Sequence, residues 1–101
     1  MKPITEDQYE DLCQTLVSFT KTEDIKLFLE DLCTRKEVEQ MAARLYAARL
    51  LSGGATYQHA IEESGLSSAT VSRVSRCLQY GQGYNLVIEK SEDSPQEASA
   101  R

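Results

Sequence analysis

Gly65 constrains this chain more than any other residue. It lies between two short amphipathic stretches, TYQHAIEES (residues 56–64) and SSATVSRVSRCLQY (residues 67–80). A glycine at that point lets one helix stop and the chain turn steeply into the next. Thr56 is placed to cap the first helix, because its hydroxyl can accept a bond from an amide the helix leaves unpaired. Ser67 or Ser68 can cap the second, which is expected to reach Tyr80. Ala60, Leu66, Val71 and Val74 occupy positions that two crossing helices would bury against each other. The pattern predicts a helix-turn-helix over residues 56–81.

The side chains left outside that contact carry the chemistry. Ser67 lies at the helix edge, and Ser68, Ala69, Thr70, Ser72, Arg73 and Arg76 fall largely on the outer face. No carboxylate occurs from Ser67 to Tyr80. Arginine can fork onto guanine or hold a phosphate, and serine and threonine can serve bases or phosphates. The positive end of the helix dipole also suits a phosphate. These seven residues are therefore the candidate DNA-binding set. The plain alternative is a helical hairpin that happens to be rich in hydroxyls, and the missing acids weigh against it. Ile61, four residues before the glycine, replaces the alanine of the commonest helix-turn-helix pattern.

Charge is divided along the chain. The 101 residues carry a net charge of −5 with a sequence pI near 4.8, which argues against a general nucleic-acid coat protein. Residues 1–40 hold ten acids against five bases, whereas residues 65–90 hold three bases against one acid. The candidate DNA face thus sits at the positive end. A length of 101 residues and a hydrophobic share of 41% fit one small globular domain over residues 1–90.

The start of the chain is acidic and interrupted by charges, unlike a signal peptide. Arg44 and Arg49 interrupt the longest apolar run, so no membrane span is expected. Cys13, Cys33 and Cys77 are odd in number and lack metal-ligand spacing. They are expected as small, partly buried thiols in a reducing cytoplasm.

Taken in order, the pattern is helical throughout. Thr5 and Gln8 form a capping box, followed by the stripe Tyr9, Leu12, Cys13, Leu16 and Val17. Thr22 is expected to cap the next helix, with Ile25, Phe28, Leu29 and Leu32 as its stripe and Leu27 widening it. Thr34 and Glu37 form a second capping box opening the longest helix. Its expected buried line is Val38, Met41, Ala42, Leu45 and Ala48, closing with Leu50 and Leu51, before Ser52-Gly53-Gly54 ends it. Gly81-Gln82-Gly83 reads as a flexible joint before a last helical piece, Tyr84 to Lys90. Residues 91–101, SEDSPQEASAR, are polar and read as a disordered tail. No strand-period alternation occurs, and the expected class is all-α.

Helices this short and one-sided bury little alone. A dimer formed through the first two helices and the terminal piece would supply the missing burial. It would also hold two recognition helices at a fixed separation, as reading a palindrome requires.

The order of helices, TRKE opening the long helix, LLSGG before the motif and GLSSATVSR within it resemble the Trp-repressor superfamily, and in particular its Trp-repressor-like (YerC/YecD) branch. The resemblance runs over roughly residues 9–90 and is strongest over residues 34–78. It implies a Trp-repressor-like helical fold, an intertwined homodimer on double-stranded DNA, and transcriptional control, usually repression. In the Trp repressor a threonine opening the long helix, an arginine on that helix and an Arg-Gly pair in the recognition helix surround tryptophan. By that resemblance Thr34, Arg44 and Arg73 form the possible effector pocket. Val74 stands where the family pattern has glycine, and Cys77 replaces a nearby serine. A β-branched side chain there should intrude on a flat indole, so tryptophan is not expected as corepressor. Any small-molecule effector is left unidentified, and no cofactor is expected.

Enzymatic patterns are weak. His59 is the only histidine and has no nucleophile at helical spacing, while Glu62-Glu63 and Glu30-Asp31 point to different sides of their helices. Gly53-Gly54 lacks the Lys-Ser/Thr of a phosphate loop. The rival to DNA binding is an acidic, dimeric protein-interaction module, for which Tyr46, Tyr57, Tyr80 and Tyr84 could furnish an interface.

Overall fold

Capping chemistry sets most of the helix boundaries in the computed structural model, which describes residues 1–92. Six helices follow one another among the described residues: α1 (Glu6–Ser18), α2 (Thr22–Leu32), α3 (Arg35–Ser52), α4 (Tyr57–Ser64), α5 (Ser68–Tyr80) and α6 (Gly83–Glu92). No strand occurs among them. The described chain divides into two compact units, Met1–Val38 and a second from Glu39 onward. Of the expected disordered tail, residues 91 and 92 are helical and close α6, two residues past its expected end; residues 93–101 lie outside the described part.

The first unit is held by local bonds and one aromatic pair. The Thr5 hydroxyl accepts from the Gln8 amide at 3.1 Å, and the Gln8 side chain accepts from the Thr5 amide at 3.0 Å. This is the expected reciprocal cap on α1. Phe19 and Phe28 bring their rings to 5.3 Å, tying α1's end to α2. One boundary differs from expectation. Thr22 is the first residue of α2 and not its cap; Lys21 takes that place and makes no side-chain cap bond. Neither α1 nor α2 contains a buried residue. Tyr9 is 59% exposed and Val17 83%, so the apolar stripe of α1 faces outward in the single chain.

In the second unit α3 is the common wall. Ala47, Ala60, Leu66 and Val71 form one buried cluster, with Ala43, Leu51 and Ile61 packed on it. Ala48, Val74 and Ile88 form another, flanked by Leu51, Leu78 and Tyr84. The expected buried line on α3 is corrected here. Ala47 and Ala48 are its fully buried residues, while Met41, Ala42 and Leu45 are exposed. Of the expected line, Ala48 is fully buried and Val38, Leu50 and Leu51 are half-buried, whereas Ala43 and Ala47, one turn apart on another row, pack on the first cluster without being expected there. The alanines at 43, 47 and 48 turn to the two clusters, while Met41 and Leu45 stay uncovered in the single chain.

The end of α3 is a Schellman turn, the 6→1 and 5→2 bond pair that closes a helix on a left-handed residue. The Ala55 amide donates to the Leu50 carbonyl at 3.0 Å and the Gly54 amide to that of Leu51 at 3.1 Å. Gly54 adopts φ +100°, the left-handed region that glycine enters without steric cost.

Candidate nucleic-acid interface

The turn between α4 and α5 is built as its sequence predicts. Thr56 accepts from the His59 amide at 3.1 Å, starting α4. Gly65 ends it at φ 74°, left-handed, with its amide donating to Ile61. Ser67 is the cap of α5: its oxygen accepts from the Thr70 amide at 3.1 Å, and the same hydroxyl lies 3.0 Å from Oγ1 of Thr70. Ala60, Leu66, Val71 and Val74 are all buried, as expected. The core therefore fixes which face of α5 looks outward.

That outward face carries the candidate residues unequally. Ser67, Ser68, Ala69, Arg73 and Arg76 are exposed, whereas Thr70 and Ser72 are half-buried. Ser67 and Thr70 bond each other, so their first role is to start the helix. The Thr70 amide is taken by Ser67, which leaves the amides of Ser68 and Ala69 as the helix's forward-facing donors. On a helix, residues 69, 73, 76 and 80 fall in one row. The centre of the outer face is thus Ala69, Arg73, Arg76 and Tyr80. Tyr80 is 83% exposed, and reading the sequence for charge and hydroxyls misses it. The same helical spacing that groups the two arginines would have found it.

The far end of α5 is fastened to α6. The Asn85 side-chain amide donates to the Leu78 carbonyl at 2.8 Å and to that of Gly81 at 3.3 Å. A Cβ on Gly81 would come 2.8 Å from the Cys77 carbonyl oxygen, so the turn needs a glycine for close approach. The expected flexible joint at residues 81–83 is instead a tight, bonded turn. Opposite, the Tyr46 hydroxyl of α3 lies 3.5 Å from a Glu63 carboxylate oxygen of α4.

Thr34, Arg44 and Arg73, the expected effector-pocket residues, belong to different units. Thr34 belongs to the first unit, where its hydroxyl accepts from the Glu37 amide at 3.1 Å and its own amide donates to the Glu37 carboxylate at 2.8 Å. The threonine is thus engaged as the cap of α3. Arg44 and Arg73 belong to the second unit, Arg44 half-buried and Arg73 exposed. Val74 is 2% exposed and packs with Ala48 and Ile88, so protein fills the space beside it. A groove of about 430 Å³ in the first unit is lined by Lys26, Leu29, Glu30, Cys33, Arg35 and Val38. Another of about 370 Å³ lies over Cys77, Gly81, Gly83 and Tyr84.

Of the three thiols, all free, Cys33 and Cys77 are half-buried as expected, but Cys13 is exposed. His59 is exposed. Among the described residues no helix is long and apolar enough to cross a membrane, and no His, Cys, Asp and Glu side chains group as metal ligands.

Comparison with known proteins agrees with this architecture. Residues 7–92 match the family model described as Trp repressor protein. The Bacillus subtilis (strain 168) protein YerC, described as uncharacterized, is 36% identical over 95 residues, spanning 93% of this chain and 91% of YerC. A crystal structure of a proposed Trp repressor from Staphylococcus aureus superposes with a TM-score of 0.82 at 31% identity, covering 87% of this chain and 89% of that one. A TrpR-like protein from Eubacterium eligens ATCC 27750 gives 0.80 at 36% identity, over 85% and 90% of the two chains.

Proposed function

The chain belongs to the Trp repressor protein family, and on that premise we propose that it is a sequence-specific DNA-binding transcriptional regulator. It acts as a repressor, as a homodimer on a palindromic operator. The observation that carries this reading is the outer face of α5, which is free of acids and exposes Arg73 and Arg76 while its inner face is locked against α3. Arginines on a rigid helix can fork onto guanine edges or grip phosphates. The amides of Ser68 and Ala69 at the helix start suit a phosphate. Ser72 adds a hydroxyl at the edge of the face, and Ser67 and Thr70 hold the helix end in shape.

Burial supports the dimer. With no buried residue in α1 or α2 and with Tyr9, Val17, Leu27 and Leu32 more than half exposed, a second copy is the natural cover for these stripes. Residues 1–90 then work as one dimerisation and DNA-binding domain. Two copies of α5 related by a two-fold axis would read half-sites one helical turn apart.

Tryptophan is not the corepressor in this reading. Two observations support this: Val74, which stands where the family pattern has glycine, packs against Ala48 and Ile88, and the Thr34 hydroxyl caps α3. A tryptophan titration is expected to give no saturable signal up to millimolar concentration; saturation at micromolar concentration would refute this part of the reading.

Salt dependence tests the DNA reading as a whole. Affinity for an operator duplex should fall by orders of magnitude between roughly 50 and 200 mM salt. Arg73→Ala and Arg76→Ala should each weaken it without loss of folding. Binding unchanged in both variants would point instead to a protein-interaction module using the exposed Tyr46, Tyr57 and Tyr80.

A further inference from the structure

We infer that Tyr80 is a backbone-contacting residue of the same DNA interface, its phenol hydroxyl donating to a phosphate at the edge of the groove α5 enters. This rests on the DNA-binding reading and extends it to the other end of the helix. Three observations carry it. Tyr80 continues the row Ala69, Arg73, Arg76 at helical spacing, so it shares the arginines' direction. It is 83% exposed, a large aromatic side chain left in solvent on an otherwise polar face. The turn that bears it is also held: the Asn85 amide ties the Leu78 carbonyl at 2.8 Å and the Gly81 carbonyl at 3.3 Å, on either side of Tyr80. These bonds partner carbonyls at the helix end, so the phenol is presented from a bonded turn.

Helix length selects phosphate over base. Ala69 and Tyr80 are eleven residues apart, roughly 16 Å along the helix axis at 1.5 Å per residue. The major groove is about 12 Å wide. With the N-terminal turn of α5 among the bases, Tyr80 lies beyond the groove wall, level with the sugar-phosphate strand. Tyrosine is one of the side chains that position a protein there through phosphate oxygens. Being neutral, it adds a directional hydrogen bond without adding to the ion release that the arginines cause.

Substitution of this exposed side chain leaves the core intact, so the test is direct. Affinity of Tyr80→Phe, Tyr80→Ala, Arg73→Ala and Arg76→Ala for one operator duplex is measured by fluorescence anisotropy across a salt series. Tyr80→Phe should weaken binding about three- to tenfold, the worth of one net hydrogen bond, and equally for matched and single-mismatch duplexes. Its salt slope should stay that of the parent, whereas each arginine variant that loses a phosphate contact should lower the slope by about one. Tyr80→Phe and Tyr80→Ala that bind like the parent, while the arginine variants bind weakly, would overturn the role of Tyr80 and leave the DNA reading standing. Loss of affinity in Tyr80→Ala alone, with Tyr80→Phe unchanged, would overturn the phosphate bond in favour of ring packing. Unchanged binding in all four would remove the DNA reading itself.

Discussion

Val74 bears on stability directly and, on the proposed reading, on the tryptophan response as well. It is buried at 2% exposure beside Ala48 and Ile88, so its methyl groups serve the core that positions α5. Val74→Ala should cost roughly 2 kcal/mol of stability through lost burial and the cavity left behind, measured by denaturant unfolding. Gly65 is fixed by backbone geometry instead. At φ 74°, a Cβ meets no neighbouring atom, yet the left-handed conformation itself penalises an L side chain by about 1–2 kcal/mol. Gly65→Ala should therefore destabilise by that amount, despite the open space. Ser67→Ala removes the oxygen that accepts from the Thr70 amide and should cost about 1 kcal/mol. These three positions were legible in the sequence because their roles are local: a turn, a cap, and an apolar residue at the crossing of two helices. Tyr80 was less legible, since an exposed tyrosine carries no charge pattern and acquires meaning only from its place in the row with Arg73 and Arg76.

Among the elements, α3 marks the limit of reading helices by periodicity. Hydrophobic spacing puts Met41, Leu45 and Ala48 in one line, but of these only Ala48 is buried, and the alanines at 43 and 47 pack on the other cluster instead. A tally of hydrophobicity cannot separate an alanine that admits a neighbouring helix from one that is merely helix-forming. The opposite substitution tests this. Ala47→Leu should overpack the cluster with Ala60, Leu66 and Val71 and lose about 1–3 kcal/mol, whereas Met41→Leu, volume-conserving and at an exposed position, should cost under about 1.5 kcal/mol. Thermal or urea unfolding of the pair would show whether the ranking holds; equal losses would contradict the assignment of the two positions. The turn between α5 and α6 escaped sequence reading for a related reason. Two glycines suggest looseness, but Asn85, four residues after Gly81, closes the turn through bonds to two carbonyls. The capping boxes at Thr5 and Thr34 were readable because both partners lie three residues apart.

At the scale of the molecule, every fully buried apolar residue among those described lies in the second unit, and α1 and α2 have none. A protein that completes its core by pairing is stabilised by mass action. Its thermal midpoint should rise with protein concentration, and sedimentation should give twice the chain mass of 11.3 kDa; a concentration-independent midpoint with a monomer mass would contradict the proposed dimer. Charge is divided in the same way, since the acids crowd residues 1–40 and α5 carries none. On the proposed reading, the acidic remainder would limit indiscriminate adhesion to nucleic acid and leave specificity to the α5 face. The most direct test of sequence-specific dimeric recognition is selection from a random duplex library with the purified protein at moderate salt. Enrichment of a palindrome with half-sites about one helical turn apart is the predicted result. Recovery of no sequence above background, with and without added small metabolites, would contradict it.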